Sequence, residues 1–201
     1  MTTARAALAA CVSLLLTPPV TAAAQTPAAA TRVELRLTSG AFVPTASQRH
    51  ALADAHLTAA QLSWTIRPSL AITGSFAWAR SRDLGTADSP KLDVFSSDAG
   101  VEARPALRLA RGSTSFAPFV GAGAGVRSYN HRSLDVDATN TLAGYAAAGG
   151  DVGLGRVSVR LEMRDYVAGF RPLTGAGRAT LRNDVAVMAA LRFHRKQGAD
   201  R

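Results

Sequence analysis

Val157-Ser158-Val159-Arg160-Leu161-Glu162-Met163-Arg164 alternates apolar and polar residues without a break. A period of two puts Val157, Val159, Leu161 and Met163 on one face of an extended chain and the charged residues on the other. Such a strand has each face in a different medium. Just before it, Gly153-Leu154-Gly155-Arg156 has the composition of a tight turn, and Leu142 to Val152 has that of a preceding strand. Before those, Phe116-Ala117-Pro118-Phe119-Val120-Gly121-Ala122-Gly123-Ala124-Gly125-Val126 climbs to Tyr129 and a polar segment follows. Residues 114–167 are thus strand, loop, strand, turn, strand.

The same reading extends in both directions. Strands are predicted at Val33–Val43, Ala55–Ile66, Leu70–Arg80, Asp93–Arg104, Thr114–Ser128, Thr141–Val152, Val157–Tyr166 and Leu181–Phe193. The links between them are long at 44–54, 81–92, 129–140 and 167–179, and shorter at 67–69, 105–113 and 153–156. An even number of long strands with long links at one end and short ones at the other is the pattern of a bacterial membrane barrel. No apolar run after residue 30 approaches the ~20 residues of a membrane helix, whereas a barrel strand needs only ~9–11, half of them apolar. The expected fold is all-β: an eight-stranded antiparallel up-and-down transmembrane β-barrel.

Alternation alone does not orient such a barrel, because a soluble lipocalin-like barrel alternates with its apolar set inward. Side-chain size decides. Gly121, Gly123, Gly125, Ala147, Gly149, Ala186 and Ala190 share a face with the charges. A crowded lumen gives small residues a purpose, and eight strands leave just enough interior for packed side chains. Glu34, Arg36, Glu102, Arg104, Arg127, Asp151, Arg160, Glu162, Arg164 and Asp184 are therefore expected to pair inside. Trp64, Phe116 and Phe193 at the turn end, with Trp78 and Phe95 at the loop end, would form two interfacial girdles.

The chain has 201 residues, a formal charge of +9 and a 47% hydrophobic content. Its arginines are spread over many segments and form no basic helix, so the charge does not indicate a nucleic-acid partner. A basic exterior rim facing anionic lipid headgroups is the better use for it. Residues 1–24 have the parts of a signal peptide: Arg5, the apolar run Ala6 to Leu16, and Ala22-Ala23-Ala24 before Gln25. Leu8-Ala9-Ala10-Cys11 also fits a lipobox, but the apolar core would then lie mostly after the cysteine. Cys11 is the only cysteine, so a mature chain would have none. The expected division is a signal peptide at 1–24, a linker at 25–31, the barrel at 32–194 and a polar tail at 195–201.

On these residues the chain resembles the small outer-membrane barrels of the OmpA/OmpX/OmpW type over roughly residues 31 to 194. The segment Phe116 to Gly125 is similar to that family's aromatic-Val-Gly-x-Gly-x-Gly strand, and Arg160 to Tyr166 looks like its charged seventh strand. The final Leu191-Arg192-Phe193 looks like the terminal signal read by the barrel-insertion machinery, although here His194 to Arg201 continues beyond it. The resemblance implies an outer-membrane location, with lipids and that machinery as partners. The expected role is structural or interactive through the exterior loops. A narrow pore or small-solute carrier, whose lumenal arginines would favour anions, a lipid A-modifying enzyme and a soluble periplasmic ligand-binding barrel are the alternatives.

No catalytic, cofactor-binding or metal-ligating residue is assigned. Gly121-x-Gly123-x-Gly125 lacks the strand-to-helix context of a nucleotide loop. His131-Arg132-Ser133 is similar to the His-x-Ser pair of lipid A deacylases, but Leu134 stands where that family has asparagine and no orienting carboxylate is evident. His50, His56 and His194 are scattered, and Asp135-Val136-Asp137 reads as a solvated acidic patch.

Overall fold

The computed structural model describes residues 32–112, 114–132, 137–154, 157–170 and 180–193. The expected signal peptide, linker and polar tail lie outside them. The strands are β1 (Arg32–Pro44), β2 (Ala55–Arg67), β3 (Leu70–Arg82), β4 (Lys91–Ala103), β5 (Leu109–Arg111), β6 (Thr114–His131), β7 (Thr139–Leu154), β8 (Val157–Phe170) and β9 (Thr180–Phe193). Their order, β4-β3-β2-β1-β9-β8-β7-β6, is closed by pairing of β4 with β6, and every pairing is antiparallel. Eight long strands thus form a barrel with no free edge along most of its wall, as the sequence predicts.

Three details differ from the sequence reading. The return at 105–113 contains β5, which pairs Leu109 with Phe116 and Arg111 with Thr114. The β4 ladder stops at Ala103↔Val120, so the first residues of β6 would otherwise lack a neighbour on that side. Gly112, at φ 59°, makes the sharp reversal between β5 and β6 without a Cβ clash. The 44–54 link contains a single 3₁₀ turn, Ala46–His50, held by Thr45 donating from both its backbone N and its Oγ1 to the Asn183 carbonyl. Finally, β6, β7 and β8 run past their predicted ends: Tyr129↔Thr139 and Phe170↔Thr180 are still paired. At the β6 and β7 ends the residues turn polar (Asn130, His131, Thr139, Asn140), and past Tyr166 in β8 the alternation gives way to Val167-Ala168-Gly169-Phe170, but the backbone ladder needs no alternating pattern to continue.

The orientation is the expected one. Leu35, Leu37, Leu161 and Leu191 stand exposed on the outer wall (Leu37 at 73%), while Arg160 is 4% exposed within. This is the reverse of a soluble barrel, whose outer wall meets water. At the turn end Trp64 and Phe116 are exposed; at the loop end Trp78 stacks on Phe95 with ring centres 6.4 Å apart. The side chain of Phe193, expected in the turn-end girdle, lies outside the described ones.

Inside, the glycines serve as room for rings. A Cβ on Gly123 would meet the Tyr145 ring at 2.6 Å, and one on Gly100 would collide with the Tyr145 hydroxyl. One on Gly149 would run into Phe119. The crowding inferred from residue size therefore has named causes.

Candidate functional site

The lumen has two halves of different chemistry. Toward the loop end it is apolar: Phe42, Leu52, Leu57, Leu92, Val94 and Tyr129 are all buried in one cluster. Gln48 of the 3₁₀ turn is fully buried beside Tyr129. The sequence reading gave the inner face to charged and small residues, and this cluster corrects it. The inward positions of strands near the loop end lie under the 44–54 link, where water is excluded and apolar side chains pack best.

The remainder of the lumen holds a network of ion pairs. Arg160 bonds Glu102, lies 3.1 Å from Glu162 and 3.4 Å from Asp151. Arg164 Nε donates to Glu162 at 2.6 Å and its Nη1 to Ser75 at 2.7 Å, and it lies 3.5 Å from Asp98. The Tyr166 hydroxyl donates to Asp98 at 2.7 Å. Glu102 also accepts from Arg104 at 2.7 Å, and Glu34 meets both Arg36 at 3.0 Å and Arg192 at 3.4 Å. Separately, Arg127 donates to Asp184 at 2.5 Å, with both side chains at most 1% exposed. Rings complete the packing: Arg160 lies 3.5 Å from the Phe119 centre and Arg127 4.1 Å from that of Tyr166.

Six arginines (36, 104, 127, 160, 164 and 192) thus face six carboxylates (34, 98, 102, 151, 162 and 184). Their charges cancel, so these arginines give the lumen no net attraction for anions. Every charge that the sequence placed inside is in this set. The partners across the lumen were not legible, because those pairs join residues as far apart as Arg127 and Asp184, whereas Arg36–Glu34, Arg104–Glu102 and Arg164–Glu162 lie two residues apart in the chain.

The wall is less tightly closed where first and last strands meet. The β1–β9 ladder runs only from Ser39↔Ala189 to Pro44↔Asp184. Toward the turn end a cleft of about 240 Å³ lies between them, lined by Glu34, Leu37, Arg160, Leu191 and Arg192 among others.

At the loop end His131 is buried, and its Nε2 lies 3.1 Å from Asp83 Oδ2. Asp83 also accepts from the Gly85 N–H at 2.9 Å and the Thr86 hydroxyl at 3.1 Å. A carboxylate therefore does face this histidine, contrary to the sequence reading, but it folds the 83–90 turn onto the end of β6. Ser133 and Asp135 lie outside the described residues, and Asp137 is exposed. His50 is exposed; His56 is exposed and meets Ser39 Oγ at 2.9 Å; His194 lies outside. No group of metal-ligating side chains occurs among the described residues.

No protein-family model and no curated protein matches the sequence. Solved structures do match the fold. Neisserial surface protein A aligns over 82% of this chain and 99% of its own, with 10% identity and a TM-score of 0.54. The fold is that of the small outer-membrane barrels. Other solved outer-membrane-type barrels align with lower TM-scores. The attachment invasion locus protein Ail of Yersinia pestis covers 79% of this chain and 96% of its own at 10% identity, with a TM-score of 0.42. The N-terminal barrel of Pseudomonas aeruginosa OprF covers 80% and 100%, at 10% identity and 0.40. At such identities the outer-membrane barrel fold is what is shared, and the lumen contacts above belong to this sequence.

Proposed function

We propose that this chain resides in the bacterial outer membrane as a sealed barrel with a structural or interaction role, presenting its loop-end links to the outside. The observation that carries this reading is the neutralised ionic network filling one half of the lumen, with the apolar cluster closing the other. A hydrated path needs polar groups free to solvate an ion, and here arginines and carboxylates are spent on each other. The apolar outer wall between two sets of aromatic residues fits a bilayer. His131 is buried with its Nε2 against Asp83, and we give it a structural role at the loop end. Planar-bilayer recording on the refolded chain is expected to show no stable unitary conductance. Reproducible ion-selective channels from the wild-type protein would refute the sealed-barrel reading.

A further inference from the structure

Outside the barrel, on the upper wall of β3 and β4, lies a cavity of about 350 Å³ with four cations at its edge: Arg80, Arg82, Lys91 and Arg132. Two carboxylates share it, and only one is spent. Asp93, buried, accepts from Trp78 Nε1 at 3.0 Å and from Arg132 Nε at 2.5 Å. It therefore fixes both the Trp78 ring and the Arg132 guanidinium, whose two Nη groups remain for a ligand. Arg80 lies over the same Trp78 ring, 4.2 Å from its centre. Neither Arg82 nor Lys91 makes a side-chain ion pair with a described residue. Counting Asp54 and Asp93 against the four cations leaves an excess of two positive charges.

Height along the wall decides what meets this excess. Arg80 stands two residues beyond Trp78 on β3, and Arg82 four. At ~3.3 Å per residue and a tilt near 40°, they lie roughly 5 and 10 Å above the Trp78–Phe95 aromatics. A headgroup layer adds about 5–7 Å beyond each side of the hydrocarbon core. Arg80 thus stands at headgroup level just above the apolar belt, while Arg82 and its register partner Lys91 start about 3–5 Å above that layer and reach it with their long flexible side chains.

We infer that this cavity binds the phosphate of a phosphorylated lipid in the surrounding outer leaflet. The proposal rests on the membrane placement above. Guanidinium forks match phosphate oxygens in pairs, and two free arginine faces with a lysine suit a phosphate monoester better than a single carboxylate. The volume also leaves space for part of the sugar or glycerol that carries the phosphate.

The test uses the full-length chain refolded into phosphatidylcholine vesicles, with Trp64→Phe leaving Trp78 as the only indole. Lipid A titrated into these vesicles is expected to change Trp78 emission saturably. Arg82→Gln with Lys91→Gln, at positions without structural partners, is expected to weaken that binding by about tenfold or more. An equal response to dephosphorylated lipid A, or unchanged affinity in the double variant, would overturn the site while the protein stays vesicle-bound. Saturation by inorganic phosphate alone at the same concentration would overturn the lipid as the source. Release of the protein by alkaline carbonate would overturn the membrane placement itself, and the site with it.

Discussion

Arg127 and Asp184 offer the sharpest test of how the lumen is held. Asp184 is fully buried, and Arg127 is its ion-pair partner. Arg127→Met would leave that carboxylate in a closed interior without a counter-charge. It would also remove a cation lying 4.1 Å from the Tyr166 ring centre and 5.4 Å from that of Phe42. Breaking a buried pair by removing one partner costs about 3–5 kcal/mol, and the lost ring contacts add about 1 kcal/mol. Removing both charges, as Arg127→Met with Asp184→Leu, avoids the orphaned carboxylate and is expected to recover most of the loss. By contrast Arg36→Met removes a cation whose partner Glu34 is partly exposed and retains Arg192, so roughly 1 kcal/mol is expected. Reversible urea unfolding in lipid vesicles, followed by tryptophan emission and by mobility on unboiled gels, measures all three. A double variant as unstable as Arg127→Met, or an Arg127→Met protein no weaker than Arg36→Met, would refute this account of the interior.

Two further outcomes follow from the packing. Gly123→Ala should destabilise by about 1–3 kcal/mol, because its Cβ meets the Tyr145 ring and the Ala99 carbonyl, whereas Gly144→Ala, whose Cβ meets nothing closer than 3.9 Å, should be tolerated; the same urea titration compares them. Leu37→Arg on the outer wall should cost about 2–4 kcal/mol in vesicles if Leu37 faces hydrocarbon, and unchanged stability there would contradict the outward apolar face.

The strands and their orientation were legible because alternation is a local property. Val157 to Arg164 states its two faces within eight residues, and small residues beside the charges show which face is crowded. The loop-end core was missed for a reason equally physical. Leu57, Leu92 and Val94 are apolar residues at inward positions, and nothing nearby in the chain shows that the 44–54 link folds over them. The carboxylate facing His131 was missed likewise, since Asp83 reaches it from another strand end.

The basic cavity on the outer wall shows the same division. Arg80, Arg82, Lys91 and Arg132 are separate charges in the sequence, and only the pairing of β3 with β4 and of β4 with β6 gathers them above Trp78. The sequence by itself determined that the chain is a barrel with its apolar face outward, because that choice is repeated residue by residue along each strand. Only tertiary structure decided which arginine neutralises which carboxylate and what closes each end of the lumen. The pairs that cross the lumen, such as Arg127–Asp184 and Arg160–Glu102, depend on register between strands distant in the chain, and register is set by the closed ladder as a whole.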